Sequence, residues 1–130
     1  MRSWWKSYGT ALLVLGSLDF VWLGFVAQDF YWREIGDLGA STVRLVPAAL
    51  FYLMYPAGLV TLALFPKPPS LAVAIGRGAV MGAVSFALYD LTNMATLRHW
   101  GVTLAVVDVV YGTLASATAA GVAYRFVRRA

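Results

Sequence analysis

Long apolar runs, separated by short clusters of charged, aromatic or proline residues, dominate the pattern of this chain. The first run goes from about Tyr8 to Ala27, behind Arg2, Trp4, Trp5 and Lys6. At 1.5 Å per residue it is long enough to cross the roughly 30 Å hydrocarbon core of a bilayer. It is N-terminal and basic-flanked, as a signal peptide would be, but it carries Asp19 and ends in Gln28-Asp29-Phe30 rather than in small residues. It therefore reads as a mature span over 8–27. A polar, aromatic connection follows from Gln28 to Arg44, in which Phe30, Tyr31 and Trp32 read as an interfacial belt. The second span is predicted over 47–65. Pro47 suits its first turn, and Pro56 is placed to kink it and free a carbonyl near Tyr52. Phe65-Pro66-Lys67-Pro68-Pro69 then stops any helix. The third and fourth spans are predicted over 70–94 and 102–126, joined by Arg98-His99-Trp100-Gly101 as a tight interfacial turn. The pattern as a whole predicts an all-α integral membrane four-helix transmembrane bundle, with residues 1–130 forming one transmembrane domain.

Composition removes the alternatives. Hydrophobic residues make up 61% of the 130 positions and charged residues 12%, whereas a soluble domain carries about a quarter charged residues. The chain has no cysteine, which excludes a disulfide scaffold and any Cys-based zinc or iron–sulfur site. The net charge of +4 comes from residues at segment ends, not from a basic stripe interleaved with aromatics, so no nucleic-acid partner is expected. Orientation explains the charge better. Arg2, Lys6, Lys67, Arg125, Arg128 and Arg129 fall on one side of the membrane, and Arg33, Arg44 and Arg98 on the other. By the positive-inside rule both termini are cytoplasmic.

Two stripes of small residues stand out. Gly78 and Gly82 are four apart on the third span, as are Gly112, Ser116 and Ala120 on the fourth. Such ridges let backbones approach, either within one bundle, the reading that short loops favour, or between two copies of the chain. A weaker echo links Leu18-Asp19-Phe20-Val21-Trp22 with Tyr89-Asp90-Leu91-Thr92-Asn93 and with Asp108-Val109-Val110-Tyr111. Two pseudo-symmetric helical hairpins would produce it, and so would chance in helices of restricted composition.

The candidate chemistry lies in three intramembrane acids, Asp19, Asp90 and Asp108. A carboxylate costs at least about 2.5–3.5 kcal/mol at a span's centre, so it must be paired, protonated or functional. The predicted topology delivers all three to the outer half of the membrane. Tyr52 and Tyr55, on one helix face, reach the same depth, with Trp22, Asn93 and Tyr111 one turn beyond the three acids and Tyr89 beside Asp90. The expected result is an aromatic-lined carboxylate pocket, with Arg44 and Arg98 as candidate charge partners at the outer helix ends. The bland alternative is that the acids are glue between helices, each bonded to a neighbouring ring, amide or hydroxyl. Arg77 is read as snorkelling to the inner interface. His99 has no second His, no nucleotide, serine-hydrolase or zinc-protease motif is present, and neither a metal nor a cofactor is expected.

Pro47-Ala48-Ala49-Leu50-Phe51-Tyr52-Leu53-Met54-Tyr55-Pro56-Ala57-Gly58, Tyr89-Asp90-Leu91-Thr92-Asn93-Met94-Ala95-Thr96, Trp100 and Val107-Asp108-Val109-Val110-Tyr111-Gly112 together resemble the DUF2177 family of small predicted bacterial membrane proteins. The family pattern usually has Trp where Tyr111 stands. The resemblance implies a four-span protein of the bacterial inner membrane and brings no activity with it. Three functions therefore stand side by side. One is a pocket that binds or transports a small amphipathic or cationic ligand with proton exchange at its acids. Another is a membrane enzyme, or an accessory subunit, acting in lipid modification. The last is a structural or assembly subunit. The partners expected are the lipid bilayer, a small-molecule or lipid ligand, and a second copy of the chain or another membrane protein.

Overall fold

The computed structural model describes residues 2–40, 42 and 44–129, and the described elements are all helical. Helix α1 spans Arg2–Val21 and runs on through a widened π-helical turn, Trp22–Val26, closed by the Ala27 N–H on the Trp22 carbonyl at 2.7 Å. Helix α2, Gln28–Ile35, follows and ends at Gly36. Then come α3 (Leu45–Leu64), α4 (Leu71–Thr96) and α5 (Val102–Arg129). Four segments, 3–26, 45–64, 71–96 and 102–127, are long and apolar enough to cross a membrane. Even the shortest, 20 residues, gives about 30 Å of helix.

The apolar side chains point outward. Leu13, Phe20, Leu53, Met54, Leu62, Val80, Leu88 and Leu114 are all well exposed, while the interior is built largely from Ala11, Ala63, Ala74, Ala115, Ala119, Ala120 and Ala123 around Leu59 and Val60. In water such a surface would drive association; in lipid it is matched to its solvent. With the hydrophobic drive gone, the helices are held by close packing and a few interhelical hydrogen bonds. Helix α5 is the centre of that packing, against α4 most extensively and then α1 and α3.

The two small-residue stripes face each other inside the bundle. A Cβ built on Gly78 would stand 2.6 Å from that of Ala120, and one on Gly82 would stand 2.5 Å from the Gly112 carbonyl oxygen. The stripes are thus consumed by the α4–α5 seam. Elsewhere, Trp4 Nε1 donates to Thr61 Oγ1 at 3.0 Å and Tyr8 donates to the Leu53 carbonyl at 2.9 Å, joining α1 to α3. Ser70 caps α4 by accepting from the Val73 N–H at 3.2 Å. Arg77 reaches back to the end of α3, where Nη1 donates to the carbonyls of Pro66 (2.7 Å) and Ala63 (3.4 Å). This satisfies helix-end carbonyls that hydrocarbon could not.

The polar, aromatic connection after the first span carries a helix of its own. Eight of its residues form α2, with Asp29 in its first turn and Arg33 in its last, as the helix dipole favours. Gly36 terminates it at φ 59°, a conformation that any side chain would strain. The following turn is clamped to the α4–α5 loop: Arg98 Nη2 lies 2.9 Å and His99 Nε2 2.7 Å from the two Asp37 carboxylate oxygens. These bonds, the His99 contact foremost, hold the Asp37 carboxyl below its usual range.

Two predictions arise from this architecture. Gly82→Val should lower bundle stability by about 1–3 kcal/mol in a detergent unfolding titration, because the seam has no room for a side chain. Gly76→Ala, whose Cβ meets nothing within 4 Å, should be neutral in the same assay. Since the folded Asp37 carboxyl titrates below its unfolded value, the clamp is intact above the ordinary carboxylate range and is lost as pH falls through the folded pKa. Protection of the amides at 36–38 against exchange, measured relative to their intrinsic rates, should therefore fall on acidification, and Asp37→Asn should remove that pH dependence.

Candidate functional site

At the end of the bundle opposite the α3–α4 turn, three carboxyl groups are each met by a ring donor from a different element. On α1, Asp19 Oδ1 accepts from the Tyr111 hydroxyl of α5, and the Tyr52 hydroxyl of α3 lies beside the same carboxyl. On α5, Asp108 Oδ1 accepts from the Tyr31 hydroxyl of α2 at 2.9 Å. Tyr31 in turn accepts from Trp22 Nε1 at 3.2 Å. The Trp22 indole, on the π-helical turn, stacks on Tyr111 with ring centroids 4.7 Å apart and planes 7° from parallel. The arrangement is reciprocal. The ring three residues after the α5 acid bonds the α1 acid, and the ring three residues after the α1 acid reaches the α5 acid through one phenol. Burial pushes the Tyr31 phenol above its usual range, so it remains a donor to Asp108.

Asp90 is the most enclosed of the three, with 1% of its surface exposed. Its Oδ1 accepts from Trp100 Nε1 at 3.0 Å, and Trp100 also meets the Tyr89 ring edge-on at 5.8 Å. Its Oδ2 has no hydrogen-bond donor among the described residues, and Asp108 is the neighbouring acid. Deeper in the bundle, the Tyr55 hydroxyl and Ser116 Oγ are 2.7 Å apart, which ties α3 to α5 at the floor.

A cavity of about 570 Å³ opens in front of these groups, within the range of small-ligand sites. Asp19 and Asp108 supply its carboxyls, and Tyr31, Tyr52, Tyr55 and Tyr89 its phenols. Trp100, Phe51 and Phe86 add aromatic wall, and Leu23, Ile35, Pro47 and Ala48 add apolar wall. No basic side chain lines it among the described residues. No three His, Cys, Asp or Glu side chains converge there as a metal site would need, again among the described residues.

Of the residues singled out from sequence, Asp19, Tyr52, Tyr55, Tyr89 and Asp108 line the cavity. Trp22, Asp90 and Tyr111 are not among the lining residues: Tyr111 bonds Asp19, Trp22 bonds the Tyr31 hydroxyl and Asp90 neighbours Asp108, while Asn93 lies beside Tyr89, off the cavity. Arg98 is placed differently from its expected role: it is committed to Asp37 in the loop layer, not to an intramembrane acid. Arg44 stands exposed just before α3. Within Phe30-Tyr31-Trp32, read as an interfacial belt, Tyr31 has a further contact, because α2 brings its phenol to Asp108. Trp100, expected at the interface, instead serves Asp90. Neither carries a local signal, since Trp and Tyr at a span's end are ordinary interfacial anchors.

A four-helix membrane bundle with a walled carboxyl cluster at one end is the class of protein these features define. The family described as predicted membrane protein DUF2177 matches residues 4–125, and the chain belongs to it. No functionally curated protein and no solved structure matches the chain.

Trp100→Phe keeps the ring but leaves Asp90 without its donor. It should destabilise the bundle by about 1–3 kcal/mol in detergent unfolding, the penalty of an unmet buried polar group. The double variant with Asp90→Leu should recover part of that loss, because the orphaned carboxyl is gone.

Proposed function

We propose that this cavity binds a small cationic or amphipathic ligand, and that its carboxyls exchange that ligand for protons. One observation carries the reading. The cavity presents two carboxyl groups, four phenols and three further aromatic rings, and no basic side chain lines it among the described residues. Carboxylates provide the charge complement for a cation, and ring faces attract it further where water is scarce. Asp90 adds to this, since its carboxyl neighbours that of Asp108 and brings a third acid close to the cavity wall. The excess of basic residues at the other end of the bundle supports a bacterial inner-membrane orientation with both termini cytoplasmic and the cavity facing outward.

One observation favours the competing reading of the acids as helix clasps: every one of them is bonded to a ring from another element. Binding of tetraphenylphosphonium, a lipophilic aromatic-compatible cation, to purified protein separates the two. Wild type should bind it. Asp19→Asn and Asp108→Asn, with helix content unchanged by circular dichroism, should each weaken binding roughly tenfold. A folded wild type that does not bind the cation, or folded variants that bind it equally well, would establish the clasp reading instead. A fall in affinity as pH drops through the titration of the carboxyls would carry the proton-exchange part of the proposal.

A further inference from the structure

A second concavity lies at the opposite end of the bundle, along the seam between α3 and α4. It has a volume of about 730 Å³ and is lined by Leu62, Val73, Gly76, Val80 and Val84, with Arg77 at its rim. From Val73 to Ser85 the groove follows α4 for about 18 Å at 1.5 Å per residue. One leaflet of the hydrocarbon core is about 15 Å deep, so the groove has the length of one acyl chain. Gly76 keeps it open: a Cβ built there meets no atom within 4 Å, so no neighbouring side chain fills the notch. This sets Gly76 apart from Gly78 and Gly82, whose missing side chains are filled by α5.

The charge at this end selects the kind of lipid. Arg77 uses only Nη1 for the Pro66 and Ala63 carbonyls, and its other guanidinium N–H groups meet no acceptor among the described residues. The bonds to the end of α3 hold the guanidinium at the level of the α3–α4 turn, where Lys67 also stands. Lys6 and Arg125 lie at the same end of α1 and α5. All six Asp and Glu residues fall within 19–37 and 90–108, which the fold places at the other end. A basic site between transmembrane helices with apolar walls below it suits an anionic head group above an acyl chain.

We propose that the α3–α4 groove binds an anionic phospholipid, with the phosphate at Arg77 and one acyl chain lying over Gly76, Val80 and Val84. The chain's far end reaches Ser85, a residue that also lines the carboxyl cavity. The site stands on its own residues and does not depend on what that cavity binds.

The test is lipid retention. Purified protein is exposed to equal amounts of phosphatidylglycerol and phosphatidylcholine in mild detergent, and bound lipid is read by native mass spectrometry. Wild type should retain phosphatidylglycerol preferentially. Arg77→Gln should reduce that preference roughly fivefold, the effect of one cation near a head group. Because Arg77 also caps α3, a second variant is needed. Gly76→Phe fills the groove from a position with no steric conflict, leaves the cap intact, and should displace the lipid altogether. Asp19→Asn, in the other cavity, should leave lipid retention unchanged. Equal retention of both lipids by wild type, or undiminished phosphatidylglycerol on the Gly76→Phe protein, would overturn the proposal. So would a lipid-free dimer that Gly76→Phe dissociates, which would make the groove a contact between copies.

Discussion

A carboxyl group in hydrocarbon must take its hydrogen bonds from the protein, because the surrounding solvent offers none. Three such groups sit at one end of this bundle, and much of that end's geometry exists to meet their demand. The widened turn at Trp22–Val26 brings an indole over Tyr111 and within reach of Tyr31. Helix α2 folds back instead of lying free at the interface, and in doing so delivers the Tyr31 phenol to Asp108. The α4–α5 loop does the same for Asp90 with Trp100.

The two ends of the bundle are built by different rules. Toward the α3–α4 turn the helices approach through glycine, alanine and serine, and dispersion between closely packed backbones holds them. Toward the carboxyls they are spread by aromatic rings and joined by side-chain hydrogen bonds, which leaves room for a cavity. Helix α5 serves both. Its alanine face is buried along one half, and Asp108 and Tyr111 project from the other. A tight half anchoring an open half lets polar groups be held in place without filling the space between them.

The four spans are legible in the sequence because an uninterrupted run of about 20 apolar residues suits little besides a bilayer. The depth of the acids follows from simple counting along those runs. The small-residue stripes can also be read, although not which partner they meet; the structure matches them to each other. What resists reading lies outside the periodic segments. Helix α2 is too short and too polar to announce itself, and it is held by Ala27, Tyr31 and the Asp37 clamp more than by its own propensity. Tyr31 and Trp100 escape a sequence reading for one reason. An aromatic residue at a span's end has two good uses, anchoring to the interface or donating into the core, and only the tertiary fold decides between them. Arg98 is drawn to the nearest acid outside the hydrocarbon, where pairing requires no desolvation of a buried partner.

The bond between Tyr111 and Asp19 joins residues 92 positions apart, from the last span to the first. During synthesis the first span therefore enters the membrane well before its α5 phenol has been made. Asp108 closes the circuit in the other direction, since its donor on α2 is already waiting when the fourth span arrives. Helix α5, made after the other three spans, is thus the one that completes the polar circuit. A nascent chain stalled before residue 111 holds Asp19 against the Tyr52 phenol alone, and the second donor is added only when the fourth span packs against the first.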